Sequence, residues 1–148
     1  MNLKDIFNIK IIKIYNEKSK HPTTSITYST FLDKKEIGFT QTLYYKLKNA
    51  TSENMIESAL EKGMNLNSKI SEISCFYPLG HISSEIKPYL GHGLGKIMLN
   101  RCMMDFKINK TDLIYTYSTK KHFIELIKKN NFDEFYDNNF YKIINPYN

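Results

Sequence analysis

The stretch LGHGLGKIMLNRCMMDFKIN, residues 90–109, decides the fold. Three glycines alternate at its start, Gly91, Gly93 and Gly95, and apolar residues then recur at the three- and four-residue spacing of an amphipathic helix. Glycine has no Cβ, so the backbone can come close to a ligand. The N-terminus of the helix behind the loop offers unpaired N–H groups and a partial positive charge. The pattern therefore predicts a loop that binds phosphate.

Two common phosphate-binding loops do not fit this stretch. A Walker A loop requires Gly-x-x-x-x-Gly-Lys-Ser/Thr, but Leu90 stands at the first glycine and Ile97 follows Lys96. The dinucleotide fingerprint is Gly-x-Gly-x-x-Gly, early in a βαβ unit. Here the spacing is Gly-x-Gly-x-Gly, late in the chain and after a predicted hairpin.

Hydrophobic periodicity and turn residues predict seven strands and three helices around this loop. The predicted strands cover residues 6–15, 26–32, 37–47, 69–77, 112–117, 132–136 and 140–144. The predicted helices cover residues 51–62, a run that begins at Leu94, and a run from Ser118 or Thr119 to about Lys129. Residues 33–36 form the turn of a hairpin between the second and third strands. Such alternation places helices against a mixed sheet.

Capping residues and apolar spacing define the helices further. Thr51 can cap the first helix. Its buried stripe is expected to comprise Met55, Ile56, Ala59 and Leu60. Asn130 and Asn131 follow the last helix, and Asn131 is expected in the left-handed conformation that ends many helices.

The composition fits one globular domain over residues 1–148, with 41% hydrophobic and 24% charged residues. The net charge is +6, which points to an anionic partner. However, Arg101 is the single arginine among 21 basic residues. Proteins that read nucleic acids rely on arginine for bidentate contacts. A solvated, lysine-rich surface is therefore favoured over a nucleic-acid surface.

No metal site, disulfide framework or membrane segment is predicted. Cys75 and Cys102 form no Cys-x-x-Cys pair, and the four histidines are scattered. No apolar run approaches the roughly 20 residues of a spanning helix. The first ten residues lack the apolar core of a signal peptide. A cytoplasmic location is expected.

The loop resembles that of the GNAT superfamily of N-acyltransferases, Arg/Gln-x-x-Gly-x-Gly/Ala, which binds the pyrophosphate of an acyl-coenzyme A. Gly93 and Gly95 match its glycines, whereas Leu90 replaces the arginine or glutamine. The strand, helix and Asn130-Asn131-Phe132 that follow resemble the closing run of the family. The resemblance covers about residues 69–144. It implies an α/β fold of the α+β type, with a mostly antiparallel sheet that splays at the cofactor site and carries helices on both faces.

The N-terminal half departs from the family in one respect. GNAT proteins usually carry one or two helices between their first two strands, beside the acceptor site. Here residues 16–25 form a polar loop, and a predicted helix follows the third strand instead.

Acetyl-CoA is the cofactor that the resemblance implies, as the acyl donor. Its pyrophosphate would contact the loop and the first turn of the helix, at Gly91, His92, Gly93, Leu94, Gly95 and Lys96. Free amides of the splayed strand near Cys75, Phe76 and Tyr77 would hold the pantetheine arm and the thioester. Ser118, after the next strand, completes the expected cofactor-binding set.

An amine would attack the thioester directly, so the site needs a base and a route for protonating the thiolate. Glu72 is the first candidate base and His81 the second. The family often uses a tyrosine five residues before the closing phenylalanine as the acid, but Ile127 stands there. Tyr117 is the candidate acid, with Tyr115, Tyr136 and Tyr141 as alternatives. A thiol of ordinary pKa can also leave as thiolate.

The sequence leaves the acceptor open between small amines and protein amines, and the assembly open between monomer and homodimer. The alternative function is a non-catalytic lysine-rich binding domain, for nucleic acid or for coenzyme A without turnover. The replacements at Leu90 and Ile127 favour that alternative.

Overall fold

Seven strands form one mixed sheet in the computed structural model, which describes residues 8–16, 22–77 and 93–144. The strands are β1 Ile9–Tyr15, β2 Thr24–Leu32, β3 Lys35–Lys46, β4 Lys69–Tyr77, β5 Leu113–Tyr117, β6 Asp133–Tyr136 and β7 Asn139–Ile143. Their order across the sheet is β1-β2-β3-β4-β5-β7-β6. Every neighbouring pair is antiparallel except β4 and β5, which run parallel. The predicted mostly antiparallel sheet is therefore confirmed.

Three helices pack on the two faces of this sheet: α1 Glu53–Glu61, α2 Leu94–Ile108 and α3 Lys121–Lys129. Side chains alternate between faces along each strand, so neighbours such as Leu113 and Ile114 belong to different cores. One core holds Ile114 with the buried residues of α2 and α3. The other holds Leu113 with Met55 and Ala59 of α1. No helix within the described residues is long and apolar enough to cross a membrane.

Helix α2 begins at Leu94 as predicted, whereas the other two helices begin differently from the predictions. Ser52, not Thr51, caps α1, since its Oγ accepts the Met55 N–H at 3.2 Å. Helix α3 begins at Lys121, and its N-cap Lys120 makes no side-chain capping bond. Ser118 instead accepts the Lys120 N–H at 3.1 Å, which forms a turn before the helix. Any hydroxyl in a short polar run can cap, and sequence alone does not choose among them.

The buried stripe of α1 is narrower than predicted. Met55 and Ala59 are buried, Ile56 is half-buried, and Leu60 is 42% exposed. A helix of nine residues that packs on one face of the sheet buries a single narrow apolar seam. Asn131 has a φ of 66°, which confirms the predicted left-handed end after α3.

A buried carboxylate ties α2 to the first two strands. Asp105 of α2 is 5% exposed, and its Oδ2 accepts the Tyr28 hydroxyl of β2 at 2.6 Å. Lys13 of β1 lies 3.2 Å from the same oxygen, and Arg101 lies 3.2 Å from Oδ1. Burial would raise the pKa of Asp105, but the Tyr28 hydrogen bond and the two cations outweigh it and lower that pKa.

We expect Asp105→Asn to lower the free energy of unfolding near neutral pH by about 1–3 kcal/mol, because the amide carries no charge for Lys13 and Arg101. The contribution of a carboxyl with a lowered pKa is fully present above its unfolded value, near 3.8, and is lost as the pH falls through the folded value. Urea unfolding should therefore show the two proteins converging under acid. Asp133→Asn, at an exposed position of β6, is the control, and an equal loss in both variants would contradict the account.

Candidate functional site

The only parallel pair of the described sheet separates after four residue pairs. The β4–β5 ladder runs from Ile70 opposite Leu113 to Ile73 opposite Thr116. The Thr116 hydroxyl donates to the Ile73 carbonyl at 2.8 Å, where the ladder ends. Within the described chain, the ladder between β4 and β5 does not continue beyond Ile73. A cavity of about 240 Å³ opens between the strands, lined by residues 73–77, residues 116–120 and Phe123.

A β-bulge in β4 sets the directions of the side chains around this cleft. The β3–β4 register shifts between Gln41 opposite Cys75 and Thr42 opposite Ile73, so Ser74 is the extra residue. The Ser74 hydroxyl donates to the Gln41 carbonyl at 3.1 Å. Because of the extra residue, both Ile73 and Phe76 belong to the core under α2 and α3.

Aromatic rings line the cleft, and a lysine lies at its rim. Phe76 is buried, and its ring centroid lies 4.6 Å from that of Phe123 in α3. The Tyr77 ring lies 4.9 Å from Phe39, and the Lys120 Nζ lies 3.6 Å from the Tyr77 centroid. The walls thus combine aromatic rings with serine and threonine side chains, and a positive charge lies at one end.

The predicted cofactor residues that the structure describes fall into two groups. Cys75, Phe76, Tyr77 and Ser118 all line the cleft, and Ser118 is buried at its far wall. Gly93, Leu94, Gly95 and Lys96 form the start of α2. Leu94 is buried in the same core as Phe76, whereas Lys96 is exposed. His81, Leu90, Gly91 and His92 lie outside the described residues.

Helix α2 begins at a glycine with a left-handed backbone. Gly93 is its N-cap, with φ of 84° and no side-chain capping bond. Apart from its chain neighbours, no atom of the described residues lies within 4 Å of the place where a Cβ would stand. The first turn of α2 contains no acidic residue. Its N–H groups and the open space at Gly93 suit an anionic group.

Glu72 lies on the opposite face of the sheet, toward α1, one residue before the first lining residue of the cleft. The Tyr45 hydroxyl donates to its Oε1 at 2.6 Å. Burial raises the pKa of Glu72, and the Tyr45 hydrogen bond opposes that rise. A carboxylate with a raised pKa is suited to take a proton near neutral pH.

Several tyrosines share this face with Glu72. Tyr115 stands opposite Glu72 across the β4–β5 pair, and its hydroxyl donates to Asn139. Burial raises the pKa of Tyr115. Tyr117 is 59% exposed and lines the cleft, unlike the alternative acids Tyr115, Tyr136 and Tyr141. Tyr136 approaches Ser52, at the start of α1, at 3.5 Å.

Ile127 is fully buried in the core between α2, α3 and the sheet. The helix position that carries a tyrosine in many GNAT proteins is therefore part of the packing here. Among the described residues, no group of three or more His, Cys, Asp or Glu side chains is placed to hold a metal ion.

Four residues of the site were not singled out from the sequence. Tyr45 and Thr116 bond to residues 27 and 43 positions away, and Ser74 is defined by the register of β3 and β4. Lys120 could have been noted, because it lies in the first turn of the predicted helix that follows the strand at residues 112–117. Tyr45, Thr116 and Ser74 owe their positions in the site to strand pairing, which a local sequence pattern does not predict.

No protein-family model and no curated protein matches the chain. Solved acetyltransferase structures of the GNAT fold do match. AtaT complexed with acetyl-methionyl-tRNAfMet has a TM-score of 0.53 at 9% identity, over 80% of this chain and 71% of that one. Arylalkylamine N-acetyltransferase 2 from Aedes aegypti has a TM-score of 0.52 at 16% identity, over 82% and 73%. A point mutant of KacT has a TM-score of 0.51 at 10% identity, over 82% and 71%.

These likenesses show that the chain has the GNAT fold. The fold that the Gly-x-Gly loop implied is therefore confirmed.

We expect Gly93→Glu to raise the Kd for acetyl-CoA more than about 100-fold. The glutamate carboxylate would stand beside the pyrophosphate expected at the start of α2, and like charges brought together cost several kcal/mol. Gly93→Ala carries the same strain, roughly 1–2 kcal/mol for a side chain at positive φ, but no charge. It should keep most of the binding in a calorimetric titration. Gly63, with φ of 95° and equally open space after α1, provides the control Gly63→Glu. Equal affinities for all three variants would show that Gly93 serves only as a turn.

Proposed function

We propose that the chain is an acyl-CoA-dependent N-acyltransferase that moves an acetyl group from acetyl-CoA to a primary amine by direct attack. The observation that carries this proposal is the divergence of β4 from β5 after Ile73, with the cleft that it opens. The fold neighbours support a transferase of this general kind.

The cleft and the start of α2 supply complementary contacts for coenzyme A. The edge of β4 over residues 74–76, which has no β5 partner among the described residues, can exchange hydrogen bonds with the amide groups of the pantetheine arm. Phe76, Phe123 and the Tyr77 ring give that arm apolar surface. The α2 N-terminus beyond Gly93 takes the pyrophosphate, and Lys120 adds a cation at the cleft rim.

The reaction needs the amine in its neutral form. In the proposed mechanism Glu72 takes the amine proton as the nitrogen bonds to the thioester carbonyl. A backbone N–H of β4 stabilises the oxyanion, as preformed donors do in acyl transfer. The C–S bond then breaks and the thiolate leaves with the electron pair. Tyr117, at the mouth of the cleft, protonates the thiolate or leaves that step to water.

The acceptor approaches from the α1 face, because Glu72 lies there. This face is where the chain departs from the family, since α1 follows β3. Names of the fold neighbours include an arylalkylamine acetyltransferase and a complex with an acetylated aminoacyl-tRNA. An acceptor panel should therefore run from arylalkylamines and peptide amines to aminoacyl-tRNA.

The second candidate function is a non-catalytic lysine-rich binding domain for nucleic acid, which rests on the net charge of +6, although the single arginine favours a solvated surface. The proposed enzyme and the non-catalytic binding domain predict different results. Non-catalytic binding would show steep salt dependence without acetyl transfer, whereas the enzyme transfers acetyl to an identified amine.

We expect acetyl-CoA at 100 times its Kd to stabilise the protein by about 2.7 kcal/mol. For a domain of this size that raises the Tm by several degrees. Differential scanning fluorimetry measures the shift, with adenosine as a control that lacks the pyrophosphate and the pantetheine arm. No shift at millimolar acetyl-CoA would overturn the proposed function.

We expect Glu72→Gln to lower kcat by about 10²- to 10⁴-fold, the usual contribution of a positioned base. Its Kd for acetyl-CoA should not change, because Glu72 faces away from the proposed pyrophosphate site. In the wild type, kcat/KM should rise with pH through a pKa above the ordinary glutamate value of 4.5, since the base works deprotonated. The variant should lose this acid limb. Glu125→Gln, on the exposed side of α3, should behave as wild type.

A further inference from the structure

Glu72 has one hydrogen-bond donor among the described side chains, the hydroxyl of Tyr45. The Tyr45 Oη lies 2.6 Å from the Glu72 Oε1, the short distance of a charge-assisted bond. Tyr45 stands opposite Ile70 in the β3–β4 ladder, while Glu72 stands opposite Leu43. The two side chains therefore meet diagonally on one face of the sheet. The described residues provide no donor to the Glu72 Oε2.

The geometry makes Tyr45 a donor that keeps its proton. Burial raises the pKa of the Tyr45 hydroxyl well above its usual value, and the nearby Glu72 charge raises it further. The Met55 sulfur of α1 lies 4.0 Å from the same hydroxyl, so α1 packs against the Tyr45 side of the pair. Tyr45 therefore orients the carboxylate and does not compete with it for the proton.

The charged and titratable groups around Glu72 are few. Tyr45 faces it from β3 and Tyr115 from β5. Helix α1 presents Met55 and Ala59 to this core, while its own Glu53, Glu57 and Glu61 are exposed. No lysine or arginine within the described ranges forms an ion pair with Glu72. Tyr45 is thus the only group of this set that lowers its pKa.

We propose that Tyr45 is the positioning residue of the base: its hydroxyl holds Oε1 of Glu72, so that Oε2 accepts the proton of the acceptor amine. The inference rests on the proposed function and names a part of the same site. As the N–C bond forms and the C–S bond breaks, the amine proton moves to Oε2 and the electron pair leaves on sulfur. Tyr45 neither gains nor loses a proton in this step.

The test compares Tyr45→Phe with Tyr44→Phe. Phenylalanine keeps the ring and removes only the hydroxyl. Tyr44 is the next residue of β3, and its hydroxyl lies on the other face, 3.4 Å from that of Tyr28. Two readouts are recorded for each protein: the pH profile of kcat/KM with acetyl-CoA and the accepted amine, and the carboxyl ¹³C titration of Glu72, assigned with Glu72→Gln. The Kd for acetyl-CoA and the Tm are measured beside them.

In Tyr45→Phe the Glu72 titration and the acid limb of kcat/KM should both move to higher pH, by the same amount. Below the limb kcat/KM should fall roughly tenfold, since the lost bond joined a neutral donor to a charged acceptor. Above the limb the change should be small, and the Kd for acetyl-CoA should stay the same. Tyr44→Phe should leave the limb and the Glu72 titration in place.

An acid limb that stays in place in Tyr45→Phe would overturn the inference, whether or not the carboxyl titration moves. A fall in kcat/KM that is equal at every pH would overturn it too, because it would mark a structural effect. A different observation would overturn the proposed function, namely that the wild-type protein does not bind acetyl-CoA.

Discussion

The arrangement of the molecule depends on one short parallel pairing in an otherwise antiparallel sheet. A strand can join its neighbour in parallel only through a crossover, so α2 must pass over one face between β4 and β5. The pairing lasts four residues, from Ile70 to Ile73, and the Thr116 hydroxyl takes the last carbonyl. Beyond that point the strands separate. The N–H and C=O groups of β4 that would bond to β5 in a regular sheet then face the cleft, where a ligand could bind them. The start of α2 lies on the face where Leu94 packs with Phe76, so both proposed coenzyme A contacts derive from the crossover.

The bulge at Ser74 adds a second constraint, because it places Phe76 on the same face of the sheet as Ile73 and opposite to Glu72. Ile73 and Phe76 pack under α2 and α3, whereas Glu72 lies under α1 with Tyr45. The proposed cofactor contacts and the proposed proton acceptor thus come from one strand but lie on different sides of the sheet. Helix α1, which follows β3, supplies the cover on the Glu72 side through Met55. On the other side, the buried Asp105 fixes α2 against Tyr28 and Lys13.

Much of the fold could be predicted because it rests on local preferences. The strand at residues 69–77 was predicted with its observed bounds, and the turn at Asn131 follows from the tolerance of asparagine for positive φ. The cap of α1 was placed one residue early, at Thr51, because neighbouring hydroxyls have nearly equal propensity. Leu60 was assigned to the core because an apolar residue at helical spacing does not reveal how wide the packed seam is. Glu72 was chosen from its place on the cofactor strand, but its partner Tyr45 was not.

By itself the sequence determined the elements, their order and the glycine start of α2, because dihedral preference and side-chain periodicity are properties of a few consecutive residues. From these, the Gly-x-Gly resemblance led to the fold. Only the tertiary structure decided which residues meet across the sheet. The 2.6 Å bond of Tyr45 to Glu72 joins residues 27 apart and exists only in one register of β3 on β4. A one-residue slip would turn every side chain to the other face. The register is fixed by the summed packing of two cores and the bulge between them, and no single segment of the chain contains that information.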